Sequence, residues 1–157
     1  MKNKKTKIFR LGLISYILSL ISVFMPTSIL IDPVESNIMW NLGFIVFFSK
    51  TGLSIGFFYN NMRFILTIIY ISMILIGTGL LFNFSKQILI DEIVWKQGIL
   101  GGIINLGMSI FYFLIMIVLE PGLYWVVFLP NLGLILPFIS GIIGIIAGIK
   151  SLKLRVK

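Results

Sequence analysis

Four long apolar runs constrain this chain more than any other feature. Residues 11–25, 64–84, 98–119 and 132–149 contain no Asp, Glu, Lys, Arg or His. The second run alone, built as a helix at 1.5 Å per residue, is about 31 Å long, which matches the hydrocarbon core of a bilayer. The whole chain is 157 residues, 59% hydrophobic and 11% charged, against roughly 25% charged residues in a soluble domain. So little polar surface cannot wrap a core of this size, and lipid must be the solvent for much of it. The expectation is an all-α membrane protein: one integral domain over 1–157, with a four-transmembrane-helix bundle and a long outer loop at 26–62.

Charge placement orients the bundle. The first ten residues hold five basic groups and no acidic one, and the last eight hold Lys150, Lys153, Arg155 and Lys157. With four spans, both termini and the 83–97 connector lie on one side, which then carries 11 of the 13 Lys and Arg residues. Basic residues stay cytoplasmic, so both termini are expected in the cytoplasm of a cell-membrane protein. The basic start followed by an apolar run is also the pattern of a signal peptide. Against that, Ser22-Val23-Phe24-Met25-Pro26 offers bulky residues where a cleavage site needs small ones.

Small and polar residues recur at helical spacing on three of the runs. Gly12, Ser15, Ser19 and Ser22 form one stripe; Gly98, Gly102, Asn105 and Ser109, continuing to Tyr112, form a second; Ser140, Gly144 and Gly148 form a third. Such stripes let helix backbones approach closely in a membrane, and packing seams within one bundle are the expectation. The third also resembles dimerising faces and is the candidate for outward pairing with another subunit. Pro137 is expected to kink the fourth helix, and 123–130 reads as a short turn carrying Tyr124 and Trp125 at headgroup level.

The segment between the first two runs is too long for a connector and too apolar for a water-facing loop. From Ile38, alternate residues Ile38, Trp40, Leu42, Phe44, Val46 and Phe48 are large and apolar. Beyond Ser49-Lys50-Thr51-Gly52 the alternation resumes with Leu53, Ile55, Phe57 and Tyr59. Period two on both sides of a polar, Gly-containing turn predicts a β-hairpin, and 28–31 could add a third strand. The expectation is a small extracytoplasmic β-sheet over about 28–59. The nine residues from Trp40 to Tyr59 would form a surface for a membrane-protein partner or another copy of the chain. The alternative, a fifth span over 37–59, would bury Lys50 in hydrocarbon at roughly 2.5–3.5 kcal/mol and carry one basic terminus across the membrane.

Four spans, cytoplasmic termini and a strand-rich first outer loop far longer than the second resemble the claudin-type tetraspan proteins. The resemblance is one of layout. Met39-Trp40-Asn41-Leu42-Gly43 carries a lone Trp, and the chain has no Cys, where that family has Gly-Leu-Trp and a loop disulfide. No functional residue is carried over.

Chemistry is sparsely signposted. Without Cys or His there is no disulfide, thiolate metal site, His-ligated haem or Cys/His catalysis, and no cofactor is expected. Asp91 and Glu92 are neighbours in sequence and do not face each other on a helix. Asp32, Glu35 and Glu120, with Lys50, Arg63 and Tyr124, are the residues an outer interfacial enzyme would use. Asn105, Ser109, Tyr112, Thr67 and Tyr70 are those a transport path would use, though no ionisable group accompanies them in the spans. The basic ends suit anionic lipid headgroups; nucleic acid is not an expected partner, since the charge lies at the termini and not on a folded face. The reading is a non-enzymatic tetraspan structural, adhesion or accessory subunit, with a small oligomeric channel or transporter as the alternative.

Overall fold

The computed structural model describes residues 2–31, 35–40, 44–49, 52–57, 61–89, 95–119 and 128–155. Within these residues four helices are long and apolar enough to cross a membrane: α1 (Lys2–Phe24), α2 (Asn61–Leu89), α3 (Trp95–Leu119) and α4 (Leu132–Arg155). Each contacts the next, and α4 closes against α1, so the helices form a ring with neighbours antiparallel. All four are longer than the apolar runs that predicted them. Helix α1 begins at Lys2 rather than 11, α2 runs 61–89 rather than 64–84, α3 begins at 95, and α4 continues past 149 to Arg155. Charge marks where a helix leaves hydrocarbon, not where it ends. Ile8 is buried against Phe84, Ile88 and Ala147, with Phe9, Leu11 and Leu154 around them. That contact holds the basic start of α1 in helical register below the spans.

Small residues set the helix spacing. A Cβ on Gly102 would stand 2.6 Å from the Gly141 carbonyl oxygen and 2.7 Å from the Ile145 nitrogen, so α3 and α4 touch backbone to backbone. Gly148 meets Ile99, and Gly12 meets Phe84 and Ser85. Such contacts need no hydrophobic driving force, which is absent between helices in lipid.

The chain between α1 and α2 runs in four strands, β1 (Pro26–Ile31), β2 (Glu35–Trp40), β3 (Phe44–Ser49) and β4 (Gly52–Phe57), and a fifth, β5 (Phe128–Pro130), precedes α4. They pair antiparallel in the order β4-β3-β2-β1-β5. Two expectations are corrected here, and one alternative is set aside. The alternation from Ile38 to Phe48 is divided between two antiparallel strands and is not one. Residues 128–130, expected in a turn, pair with β1 through Leu129 opposite Ile29. The described residues of 37–59 are strands, so they do not form a fifth helical span. Ser49 pairs with Gly52 across the predicted turn, and Gly52 takes φ +143°, a conformation glycine reaches without a Cβ penalty. Pro26, with no N–H to donate, sits where the β1–β2 register shifts.

The sheet meets the helices through β1 and β5, both against α4. The junction is tight. Asn131 N–H donates to the Thr27 carbonyl (2.8 Å), and Gly133 packs on the Met25 and Pro26 carbonyls. Asn131 also starts α4. Its carbonyl accepts from Leu134 (2.9 Å) and Ile135 (3.0 Å), and its side-chain oxygen accepts from Leu132 N–H (2.6 Å), covering donors that a helix start leaves open.

Candidate functional site

Two places carry the residues singled out above: the middle of the bundle and one face of the sheet. In the bundle, all eleven stripe residues are buried, from Gly12, Ser15, Ser19 and Ser22 through Gly98, Gly102, Asn105 and Ser109 to Ser140, Gly144 and Gly148. The α4 stripe packs inside the bundle like the other two, and its alternative use as an outward pairing face does not hold. Gly144 packs on Leu81 and Ser15, and Ser140 hydrogen-bonds to α1. The helical glycines with open space around them are instead Gly79 and Gly107, both exposed.

The central hydrogen bonds close on themselves. Ser15 Oγ donates to the Ser140 carbonyl and Ser140 Oγ to the Ser15 carbonyl, both at 2.7 Å. Thr78 Oγ1 donates to the Ile74 carbonyl (2.7 Å). Ser19 Oγ lies 2.5 Å from Thr78 Oγ1, and because the Thr78 proton is committed, Ser19 is the donor of that pair. Asn105 Nδ2 then donates to Ser19 Oγ (2.8 Å) and Ser140 Oγ (3.2 Å). Both acceptors have given their protons away, which fixes the orientation of the amide. Every side-chain donor in this group of five is used, all within the group except that of Thr78, which goes to the Ile74 carbonyl of its own helix. The remaining acceptor, Asn105 Oδ1, is buried without a hydrogen-bond partner and lies against Gly77. The other buried orphan acceptors among the described residues are Gln87 Oε1 and Gln97 Oε1, near the terminal end.

A second cluster lies nearer the sheet. Tyr70 and Tyr112 stack with centroids 4.5 Å apart at 30°, and the Thr67 hydroxyl is 3.2 Å from that of Tyr112. Tyr70 donates its hydroxyl proton to the Gly133 carbonyl at 3.0 Å. Sequence reasoning missed that link, although its cause is in the sequence. Pro137 has no N–H, so it gives no helical hydrogen bond to the carbonyl four residues before it, that of Gly133. Tyr70 supplies one from α2, the helix diagonally across the ring. The residues proposed for a transport path are therefore joined in side-chain bonds and stacks that tie helices together. Outside them, Ser109, Ile110, Phe113, Leu134, Ile135 and Phe138 line a shallow apolar groove of about 210 Å³ between α3 and α4.

On the sheet, register places the predicted partner residues together. Phe44 pairs with Phe57, Val46 with Ile55 and Phe48 with Leu53 across β3–β4, and Ile38 pairs with Val46 across β2–β3. Opposed residues share a face, and Trp40, two positions from Ile38, joins it. Val46, in the inner strand, is buried at 8% exposure, while Leu53 and Ile55 on the edge strand are 62% and 67% exposed. For Trp40, Phe44, Phe48 and Phe57 only the strand positions are described; Leu42 and Tyr59 lie outside the described residues. The opposite face holds Met39, Ile45 and Phe47, so the alternation is weaker than the first set suggests. Asp32, Lys50, Glu120 and Tyr124 also lie outside the described residues, as do the side chains of Glu35 and Arg63.

No protein-family model matches the chain, and no curated protein matches it.

Proposed function

We propose that this is a non-enzymatic tetraspan membrane protein whose extracytoplasmic sheet meets a partner in the same membrane or the one opposite, in a structural, adhesion or accessory role. The observation that carries this reading is the outer strand β4. It leaves Leu53 and Ile55 two-thirds exposed on a face otherwise composed of large apolar positions. Exposed apolar patches of this kind mark contact surfaces. The bundle supports the reading as a rigid mount, since its polar side chains are tied to one another. The side assigned to the sheet follows from the basic residues gathered at the other end. The claudin-type layout is the architectural analogy we favour, with four strands between α1 and α2 and one between α3 and α4 in its support.

A photo-crosslinking residue at position 53 or 55, irradiated in native membranes, tests this. The expected result is a discrete adduct from position 53 that Ile55→Lys removes. A chain that stays strictly monomeric, with no lateral adduct from either position, sinks the proposal.

A further inference from the structure

The end of the bundle away from the sheet carries a ring of cations with one member on each helix. Gly12 of α1 packs on Phe84 and Ser85 of α2, Gly98 of α3 on Phe84, and Gly148 of α4 on Ile99 and the Trp95 carbonyl. These contacts put Gly12, Phe84, Gly98 and Gly148 in one layer. Two residues further toward the termini, about 3 Å along each helix axis, stand Arg10, Lys86, Lys96 and Lys150. All four are exposed. Neighbouring helices alternate in direction, so the chain reaches this level twice descending and twice ascending, and each time it places a basic residue. The Lys96 ammonium lies 5.8 Å from the ring centre of Trp95, an aromatic residue of the type that settles at the headgroup boundary. By chain order this side of the protein holds eleven basic residues against two acidic ones, Asp91 and Glu92.

We propose that the ring is a set of binding positions for anionic phospholipid headgroups, one beside each helix. Each cation sits at the depth where a lipid phosphate lies, and the Lys and Arg donors form charge-assisted hydrogen bonds to its oxygens. Lys4, Lys7 and Lys153, further along the helices, reach past the phosphates and add only screened attraction. The ring therefore does more than orient the chain: it selects lipid by charge and sets the depth of the bundle in that leaflet. This holds whatever partner meets the sheet.

The test is the full chain in nanodiscs of equimolar phosphatidylglycerol and phosphatidylcholine, released and weighed by native mass spectrometry. Up to four retained lipids are expected, predominantly phosphatidylglycerol, with the preference falling as salt rises. Each of Arg10→Gln, Lys86→Gln, Lys96→Gln and Lys150→Gln should weaken its own position about fivefold, so that the retained phosphatidylglycerol falls by up to one lipid. The combined Lys4→Gln, Lys7→Gln, Lys153→Gln variant should keep the preference. Wild-type protein that retains the two lipids in the ratio of the disc overturns the proposal. So do single variants that all retain lipid like the wild type. Both outcomes are read on wild-type protein or on single changes at exposed positions, which leave helix packing untouched.

Discussion

Tyr70 and Pro137 show how one residue's defect is another's function. Pro137 has no N–H to give the Gly133 carbonyl, and the Tyr70 hydroxyl donates to that carbonyl at 3.0 Å across the bundle. Losing a hydrogen bond of this kind costs about 0.5–1.5 kcal/mol. Tyr70→Phe should therefore lower unfolding free energy in detergent by about that much. The same change in a Pro137→Ala background should cost distinctly less, because alanine at that position brings its own N–H. A double-mutant cycle measures the difference, and equal costs in the two backgrounds would show that the bond does not serve this purpose. Asn105 makes the complementary case. Its two N–H groups join Ser19 on α1 to Ser140 on α4, so Asn105→Leu removes two interhelical bonds and overfills the space beside Gly77. Interhelical bonds in membranes average about 0.6 kcal/mol each and overpacking adds about 1–3; thermal unfolding should show a loss of at least about 2 kcal/mol. The importance of Asn105 was legible in the sequence, since a lone amide in a small-residue stripe has few other uses. Its partners were not, because spacing within one helix says nothing about what stands opposite.

Between elements, contact is decided glycine by glycine. On α3, Gly102 and Gly107 are indistinguishable by composition, yet a Cβ at Gly102 would strike the α4 backbone and one at Gly107 would meet nothing within 4 Å. Gly102→Ala should destabilise the fold by about 1–3 kcal/mol, since a backbone cannot move aside as a side chain can. Gly107→Ala should be neutral within about 0.5 kcal/mol. Comparing the two melting curves in one detergent checks this directly. Stripe membership did mark Gly102 as the packing residue and left Gly107 out. The apolar runs likewise located the helices, because no other element hides about 15 or more consecutive apolar residues. The ends were illegible for a physical reason: Lys2 to Arg10 reads as a polar flank until Ile8 is seen docked on Phe84 and Ala147. Strand β5 was illegible because a strand this short, ending in Pro130, carries no periodicity; only pairing with β1 defines it.

For the molecule as a whole, the side on which the sheet stands decides what it can meet, and charge alone argues that side. The basic residues at the terminal end would each have to cross hydrocarbon in the inverted orientation, whereas the described sheet residues carry only one acidic group, Glu35. The chain has no cysteine, so a single introduced thiol is an unambiguous reporter. Leu53 and Lys153 are both exposed, at opposite ends, and replacing either leaves packing untouched. Leu53→Cys should react with a membrane-impermeant maleimide on intact cells. Lys153→Cys should react only after the membrane is opened. Labelling of Lys153→Cys on intact cells would invert the protein, turn the sheet toward the cytoplasm and remove any partner outside the cell. Labelling of both in intact cells would mean an even number of crossings between positions 53 and 153, where α2, α3 and α4 provide three. Only the pattern of one outside and one inside leaves the apolar face of β3 and β4 where an outer partner could reach it.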